Sequence, residues 1–334
     1  MTGVGATTRE HAPVRVDAVV LWVDGDDPAH LAKREAWRHQ AAPENGVNRK
    51  AVMPTRFTAT FELEYNLRLL RRNAPWLGTI FVVTDDQCPE WLTSVCRDEL
   101  GVRLVDHREV FRGYENALPV FNSRSIETLL FNIPGLAEHF IYLNDDFFLI
   151  RPARVEDWFV KGQVLVRGRP YTFGKASGLW RKWGDRLGHR FGGARYCGGA
   201  VGLVREKAML RPRARQIVQL SHTPLGLVKS ALRDVLTEAG LDTGNSHYRF
   251  RSSQQVRPLA LVLNEMVLRG QARLAAQRDW YYINGERHGG RALRQRLRYC
   301  RDNEALRMLC VNSIDRMRRD DQVHVRHLLD FFLE

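Results

Sequence analysis

Long hydrophobic runs are absent from the sequence, and cysteine is sparse. No stretch approaches the roughly 18 apolar residues that a transmembrane helix needs, and the opening segment MTGVGATTREHAPVRV has no apolar signal core. The five cysteines are an odd number and include no CxxC pair. These absences predict free thiols in a reducing compartment and a cytoplasmic location.

Signature motifs of several protein classes are also missing. The sequence has no GxGxxG and no GxxxxGK[ST], which excludes the dinucleotide fingerprint and the P-loop. It has no HExxH, no Cys or His pairs at zinc-finger spacing and no GxSxG elbow. A helix-turn-helix signature and an RNP-type aromatic motif are absent as well, so sequence-specific binding of nucleic acid is not indicated.

Net charge is the clearest departure from an ordinary composition. The chain has 51 Lys and Arg against 38 Asp and Glu, a formal net charge of +13, and arginine supplies most of the excess. Arginine favours bidentate contact with phosphate or carboxylate. The charge therefore predicts an anionic partner, either a phosphorylated small molecule, an anionic membrane surface or nucleic acid. The arginines look scattered along the sequence rather than set in a stripe, which suits an enzyme acting on anionic substrates.

Strand and helix patterns alternate in the first half of the chain. Apolar β-branched runs predict buried strands, and helical periodicity predicts helices between them. The predicted strands are 16–23, 79–86, 102–107 and 139–146, and the predicted helices begin at Pro28 and cover 60–75 and 122–135. Asn122 or Ser123 is the expected N-cap of the last helix. This alternation predicts an α/β fold, Rossmann-like, with a mainly parallel sheet flanked by helices.

The second half is less regular. A segment rich in Gly, Arg and aromatic residues at 178–202 is typical of a long loop, and helical patterns follow near 205–220, 225–239, 256–270, 291–309 and 317–333. Residues 1–13 are typical of a disordered lead-in. We therefore expect one domain over 14–334, with an α/β half at 14–160 and a mostly helical half at 161–334.

Polar and acidic residues follow every predicted strand of the first half. The four segments read WVDGDD, VTDDQ, VDH and LNDD. Open α/β sheets bind ligands at the carboxyl ends of their strands. The sequence therefore predicts that these segments, although far apart along the chain, converge on one crevice.

The stretch FIYLNDDFFLIRP raises the sharpest question, because Asp145 and Asp146 interrupt an apolar run. Adjacent carboxylates at a strand end suit a hard divalent cation, which prefers oxygen ligands and also bridges phosphates. A solvated surface turn is the alternative. The apolar residues that follow at once favour the metal site.

A second acidic turn follows the first strand and contains Asp24, Gly25 and Asp26. Glycine there allows a positive φ or a close approach of the backbone to a ligand. An ordinary Asp-Gly turn is equally consistent with the pattern.

Basic candidates lie in the second half. His222 is in SHTP ahead of a helix with Lys229, and SHYRFRSSQQVRP supplies Arg249 and Arg251. If this segment is a strand, the two arginines share one face and form a phosphate clamp. A solvated basic surface is the alternative for each of them.

Three long segments together resemble a known family. DAVVLWVDGDDP, FELEYNLRLLRRNAPWLGTIFVVTDDQCPEWL and LPVFNSRSIETLLFNIPGLAEHFIYLNDDFFL are similar to the first two conserved blocks of the Stealth proteins. That family includes bacterial capsule hexose-1-phosphate transferases and the animal lysosomal-enzyme N-acetylglucosamine-1-phosphotransferase. SHTPLGLVKSAL with RFRSSQQV resembles the third block. In the fourth block, MLCVNSID departs from the family pattern, because Asn312 is followed by Ser313 and the nearest acid is Asp315.

The resemblance implies a GT-A-like, Rossmann-type catalytic domain and a reaction. The implied enzyme is a phosphotransferase of capsule or exopolysaccharide biosynthesis. It moves hexose-1-phosphate from a nucleotide-sugar such as a UDP-sugar to a hydroxyl of a glycan acceptor, and it releases UMP. A metal-dependent glycosyltransferase that releases UDP is the first alternative. A non-enzymatic protein that binds nucleic acid or another anionic polymer is the second.

The resemblance also implies a role for each candidate residue. Asp145 and Asp146 would hold Mg²⁺ or Mn²⁺ on the donor diphosphate, and His222 would serve as general acid or base. Arg249 and Arg251 would stabilise charge on the transferring phosphate. The implied substrate-binding residues are Trp22, Asp24, Gly25, Asp26, Asn122, Ser123, Arg124 and Lys229. The expected partners are a nucleotide-sugar donor and a glycan acceptor, without nucleic acid, and the charge favours peripheral contact with the inner face of the plasma membrane.

Overall fold

A computed structural model describes residues 14–41, 47, 57, 60–172, 216–276 and 278–334. The predicted lead-in at 1–13, the predicted loop at 178–202 and most of the predicted helix at 205–220 lie outside these residues. The strands are β1 Val16–Leu21, β2 Ile80–Thr84, β3 Val102–Asp106, β4 His139–Asn144, β5 Phe147–Leu149, β6 Phe159–Val160, β7 Gln163–Val166, β8 Gly168–Thr172, β9 Gln216–Leu220, β10 Leu225–Val228, β11 Ala272–Leu274, β12 Trp280–Asn284 and β13 Met308–Asn312. The α-helices are α1 Pro28–Ala36, α2 Glu62–Asn73, α3 Ser94–Leu100, α4 His107–Val110, α5 Ser123–Thr128, α6 Lys229–Glu238, α7 Leu241–Gly244, α8 Pro258–Leu268, α9 Gly290–Asp302 and α10 Arg319–Leu333.

The central sheet has five strands in the order β10-β4-β1-β2-β3. Strands β1 to β4 are parallel, and β10 pairs antiparallel with β4. The order 3-2-1-4 of the parallel strands is that of a Rossmann-type half, whose ligand crevice lies where the order reverses, between β1 and β4. The predicted fold class, an α/β sheet of mainly parallel strands flanked by helices, is confirmed.

Apolar residues cover both faces of this sheet, which explains why its strands read as continuous hydrophobic runs. All six residues of β1 are buried. Val19 and Leu21 belong to a cluster on one face, and Ala18 and Val20 belong to a cluster on the other. The strand period of two divides them in this way.

A smaller sheet places β13 between β12 and β5. Only two residues separate the end of β4 from the start of β5, and β5 pairs antiparallel with β13. The acids of FIYLNDDFFL therefore occupy a two-residue turn between strands of different sheets. Because Phe147, Phe148 and Leu149 are buried in the second sheet, the chain returns at once to apolar residues.

The second half contains more strand than the sequence predicted. The helices expected near 256–270 and 317–333 are confirmed as α8 and α10. The pattern at 225–239 combines a strand, β10, with the helix α6, and the pattern at 291–309 ends in strand β13. These short strands pair with residues far along the chain, so local periodicity carries no signal for them.

Candidate active site

Helix α2 holds the turn at Asp145 and Asp146 in place. The Asn66 side chain, which is buried, donates hydrogen bonds to the backbone carbonyls of Asn144 at 3.1 Å and Phe147 at 2.5 Å. The backbone carbonyl of Asp146 accepts from the Val311 amide at 3.0 Å. The turn is therefore anchored both to helix α2 and to strand β13.

Three side chains from distant segments surround the Asp146 carboxylate. Asn312 Nδ2 donates to its Oδ2 at 3.0 Å, and the Cys310 thiol donates to the same oxygen at 3.4 Å. His222 Nε2 lies 3.8 Å from that oxygen. Within the described ranges, Asp146, His222 and Cys310 form a group whose potential ligand atoms all lie within 4.8 Å of one another.

His222 reaches this group because β10 runs antiparallel to β4. Leu225 pairs with Tyr142 near the carboxyl end of β4, so the residues just before β10 lie beside the acidic turn. Phe147 and Tyr282 pack edge-on against the imidazole, with ring centroids 4.8 and 5.7 Å away. These rings fix the imidazole's position against the carboxylate.

The two adjacent carboxylates differ electrostatically. Burial, the charge of Asp146 and the charge of Glu62 raise the pKa of Asp145 well above its usual value. Burial acts to raise the pKa of Asp146 too, but His222 and the hydrogen bonds from Asn312 and Cys310 hold that pKa below its usual value. Asp146 is therefore the ionised member of the pair, and Asp145 gains most from added positive charge.

The residues present fit a divalent cation. Asp146 Oδ1 is buried and has no hydrogen-bond partner among the described residues, which is a costly arrangement unless a cation or water binds there. Burial and the charge of Asp146 raise the pKa of Cys310 well above its usual value, so the thiol is a hydrogen-bond donor rather than a thiolate ligand. The available donors are then carboxylate oxygens, which suit a hard cation.

The predicted substrate loop after β1 lies at the same edge of the sheet. Leu21 is level with Asn144 in the neighbouring strand, so Trp22 to Asp26 follow on the carboxyl side. Gln87 fixes this loop by bonding both the amide and the carbonyl of Asp24, and the Asp26 amide donates to Asp24 Oδ1. Trp22 is buried in the core.

Gly25 makes a close approach, but to the chain itself. Its amide donates to the Phe57 carbonyl at 2.6 Å, and a Cβ at this position would lie 2.1 Å from the Phe57 Cβ. The sequence left open a positive φ or a close approach to a ligand at this glycine, or an ordinary Asp-Gly turn. The structure instead shows that glycine is needed because Phe57 leaves no room for a side chain.

The start of α5 is built largely from internal hydrogen bonds. Asn122 is the N-cap, accepting from the Ser125 amide, and its Nδ2 donates to the Tyr248 carbonyl. Arg251 donates to Ser123 Oγ at 2.6 Å. Arg124 donates to the Ser252 carbonyl at 3.5 Å. The helix start therefore brings Arg251 close to the end of β4, where its charge acts on Tyr142.

Arg249 lies apart from Arg251. Residues 248–251 do not form a strand, so the predicted shared face is wrong. The Arg249 guanidinium donates to the carbonyls of Asn116 and Leu118 and stacks 3.9 Å above the Trp37 ring. Its contacts tie loops together.

Lys229 lies at the opposite edge of the sheet from the acids. Val228, just before it, pairs with His139 at the start of β4, whereas the acids follow the end of that strand. Five residues of strand separate the two ends by roughly 16 Å. The prediction that Lys229 joins the site failed because an antiparallel β10 carries His222 and Lys229 to opposite edges.

A second polar group lies beyond β2 and β3. Asp85 binds Lys33 at 2.9 Å and lies 3.9 Å from both His30 and His107. All four ring nitrogens of these buried histidines lack hydrogen-bond partners among the described residues. Burial lowers the pKa of His30, and it lowers the pKa of His107 to about 4.

We expect this group to make stability depend on pH. Below about pH 6.5, His107 binds a proton in the unfolded chain but stays neutral in the folded chain. The free energy of unfolding therefore falls as the pH drops from about 6.5 to about 4, by up to roughly 3 kcal/mol for this residue. Urea unfolding at pH 7 and pH 4.5 measures the difference. His107→Gln should reduce it, whereas exposed His327→Gln should not; equal pH dependence in both variants would contradict the assignment.

Several site residues were missed from the sequence. Cys310, Tyr282 and Asn66 carry no local motif for this role, and they reach the turn only through long-range pairing. Asn312 lies in the segment MLCVNSID, which departs from the pattern of the family's fourth block. Its side chain nevertheless contacts Asp146. Asp315 pairs with Arg316 instead.

Comparison with protein-family models finds two conserved regions in the chain. Stealth protein CR1, conserved region 1, matches residues 14–41, and Stealth protein CR2, conserved region 2, matches residues 56–166. The first contains β1 and the loop after it, and the second contains β2 to β4 with the acidic turn. Both Stealth regions are therefore present in the chain, and the resemblance to that family drawn from its motifs is confirmed.

Curated relatives carry enzyme names. One exopolysaccharide phosphotransferase of Streptomyces coelicolor is 33% identical over 328 residues, covering 95% of this chain and 54% of that protein. Another from the same organism is 36% identical over 245 residues, covering 72% of this chain and 38% of that protein. The chain thus spans about half the length, or less, of these relatives.

Among solved structures, the apo form of mouse xyloside xylosyltransferase 1 aligns with 89% of this chain and 98% of its own, at 11% identity and a TM-score of 0.41. A TM-score this low does not establish a common fold. The fold class assigned above rests on the strand order and register of the sheet itself. Within the described ranges, no helix is long and apolar enough to cross a membrane.

Proposed function

We propose that the chain is the catalytic part of a phosphotransferase that moves hexose-1-phosphate from a nucleotide-sugar, such as a UDP-hexose, to a glycan hydroxyl. The acceptor oxygen attacks the phosphorus that bears the sugar, and the bond from that phosphorus to the bridging oxygen breaks. Nucleoside monophosphate leaves, and the product is a phosphodiester. Two Stealth regions and relatives named exopolysaccharide phosphotransferases support this reaction class.

One observation carries the proposal. At the point where the parallel strand order reverses, a buried carboxylate keeps Oδ1 without a hydrogen-bond partner among the described residues, while His222 lies 3.8 Å from its Oδ2. An ionised acid beside an imidazole in the ligand crevice of an α/β sheet suits metal-assisted group transfer. The net charge of +13 suits anionic substrates and an anionic inner membrane surface.

Asp146 and Asp145 would hold Mg²⁺ or Mn²⁺. When bound, such a cation supplies positive charge that neutralises the donor diphosphate. Asn312 and Cys310 orient the Asp146 carboxylate, because both donate to Oδ2 and leave Oδ1 without a hydrogen-bond partner among the described residues. Burial and the negative charges of Asp146 and Glu62 raise the pKa of Asp145. Added positive charge opposes the effect of these carboxylates, so Asp145 then ionises more readily.

His222 accepts the proton of the acceptor hydroxyl as the oxygen attacks. The imidazole is held between two aromatic rings, and Asp146 stabilises the positive charge that it gains. Arg251, near the end of β4, binds the transferring phosphate, for which a guanidinium fork is well shaped.

The two arginines give a matched test. Arg251→Lys should lower kcat by roughly tenfold to a hundredfold with little change in donor affinity, because Lys keeps the charge but loses the fork. Arg249→Lys should instead lower the free energy of unfolding by about 1–2 kcal/mol, since it loses carbonyl and Trp37 contacts. Steady-state kinetics and urea unfolding of both variants measure this, and equal losses of turnover would contradict the separation.

The reaction itself is tested by its leaving group. The chain is incubated with UDP-sugars, Mg²⁺ or Mn²⁺ and oligosaccharide acceptors, and the released nucleotide is separated by chromatography. We expect UMP that depends on acceptor and metal. Release of UDP in its place would show the glycosyltransferase reaction and contradict the proposal.

A further inference from the structure

Helix α9 presents a stripe of arginines that the linear sequence hides. Its exposed side carries arginines at spacings of three, four and three residues, which place them on one face of a helix. These are Arg291, Arg294, Arg298 and Arg301. Leu293, Leu297 and Cys300 are buried on the other side. At 1.5 Å per residue the stripe is about 15 Å long, so the view of the arginines as scattered is wrong for this helix.

The charge of the stripe is largely uncompensated. The one acid of α9, Asp302, pairs with Arg301 at 2.8 Å. Arg291, Arg294 and Arg298 form no ion pair within the part of the chain that the structure describes. Such a row of free guanidinium groups is a complementary surface for a chain of anions.

The residues just before α9 are connected to the catalytic group through a series of hydrogen bonds. Asn284, at the end of β12, contacts Asn312 at 3.4 Å, and Asn312 in turn binds Asp146. The Asn284 amide also donates to His288, two residues before α9 begins. At the far end, Arg151 binds the carbonyls of Cys300 and Arg301, beyond the end of β5.

We propose that this arginine stripe binds a glycan acceptor that carries phosphate groups along its length. The inference rests on the proposed function, because each transfer of that kind adds one phosphodiester anion to the acceptor. An acceptor extended by earlier rounds then presents a row of phosphates, and the stripe would hold these while the terminal hydroxyl lies at Asp146 and His222. Arginine forks match phosphate oxygens in a way that neutral sugar-binding surfaces do not.

An anionic membrane fits this helix less well. Helices that lie in a membrane interface combine basic residues with an exposed apolar face of Trp, Phe or Leu. On α9 the exposed large apolar side chain is Tyr299, and its ring packs against Tyr281 at 5.2 Å. The charge of the stripe therefore has no apolar face beside it for insertion between lipids.

The test measures binding, which does not require turnover. The full chain is titrated with a synthetic oligomer of hexoses joined by phosphodiesters, with a neutral oligomer of equal length, and with vesicles of phosphatidylcholine and phosphatidylglycerol. The variant combines Arg291→Gln, Arg294→Gln and Arg298→Gln. The control combines Arg233→Gln, Arg273→Gln and Arg278→Gln, which removes the same charge from exposed positions on α6, on β11 and just before β12. Circular dichroism and thermal unfolding confirm that both are folded.

We expect the stripe variant to bind the phosphorylated oligomer at least thirtyfold more weakly, with the control unchanged. The slope of log affinity against log salt should fall by about two, since three contacts each release about 0.7 counterion on single-stranded polyanions. Equal affinities in variant and control, or a loss of vesicle binding alone, would overturn the inference. If the phosphorylated oligomer binds through the stripe but the chain releases no UMP, the binding surface is supported and the proposed function is refuted.

Discussion

Asp146→Asn should reduce the rate of UMP release by about a thousandfold or more while leaving the fold intact. The substitution removes the one ionised carboxylate of the acidic turn, and metal-assisted charge neutralisation is worth several kcal/mol, of which about 4 kcal/mol corresponds to a thousandfold. The Asn312 and Cys310 donors keep an oxygen acceptor in the asparagine side chain, so stability should change little. Initial rates at saturating donor measure the loss.

Two controls accompany this variant. Asp86→Asn makes the same chemical change just after strand β2 of the same sheet, on a side chain that is 71% exposed, and should keep nearly full activity. Calorimetric titration with Mn²⁺ should show binding to the unmodified chain and to Asp86→Asn, but not to Asp146→Asn. Full activity of Asp146→Asn, or of the unmodified chain in excess EDTA, would contradict the proposed metal dependence.

His222→Ala should lower kcat by a hundredfold to ten-thousandfold, the range expected when a general base is lost. Donor affinity should change much less, because the imidazole faces Asp146 rather than forming the loop after β1. Added imidazole should restore part of the lost rate by filling the space between Phe147 and Tyr282. Rates with and without imidazole measure both effects.

The matched control is His247→Ala. His247 is exposed, its ring contacts the Thr243 carbonyl, and it comes from the same basic half of the sequence. Its removal should leave kcat within a factor of about two, since exposed substitutions away from a site have small effects. Normal turnover in His222→Ala, or no response to imidazole, would assign the proton transfer to another group.

Strands β1, β2 and β4 of the central sheet were predictable because nearly all of their residues are buried, on both faces. Such strands appear as unbroken apolar runs, and the run from Val16 to Leu21 is recognisable without any partner in view. The acids at their ends follow from strand direction alone, since parallel strands bring their carboxyl ends to one edge. Asp145 and Asp146 were predicted as candidates for that reason.

The rest of the site depends on pairing between distant segments. Cys310 and Asn312 reach Asp146 because β13 pairs antiparallel with the short strand β5. No local sequence pattern predicts which residues of these two strands pair. Lys229 was misplaced because the direction of β10 could not be known before the sheet was assembled. Arg249 and Arg251 were expected on one face only if residues 248–251 formed a strand, and the chain bends there instead.

The fate of one phosphorus atom tests the central claim most directly. The chain is given a UDP-sugar labelled with ³²P at the phosphate that bears the sugar, together with Mg²⁺ and an oligosaccharide acceptor, and the products are separated. We expect the label to move into the glycan as a phosphodiester and the released UMP to be unlabelled. Recovery of the label in UDP, with a glycan free of phosphorus, would contradict that claim.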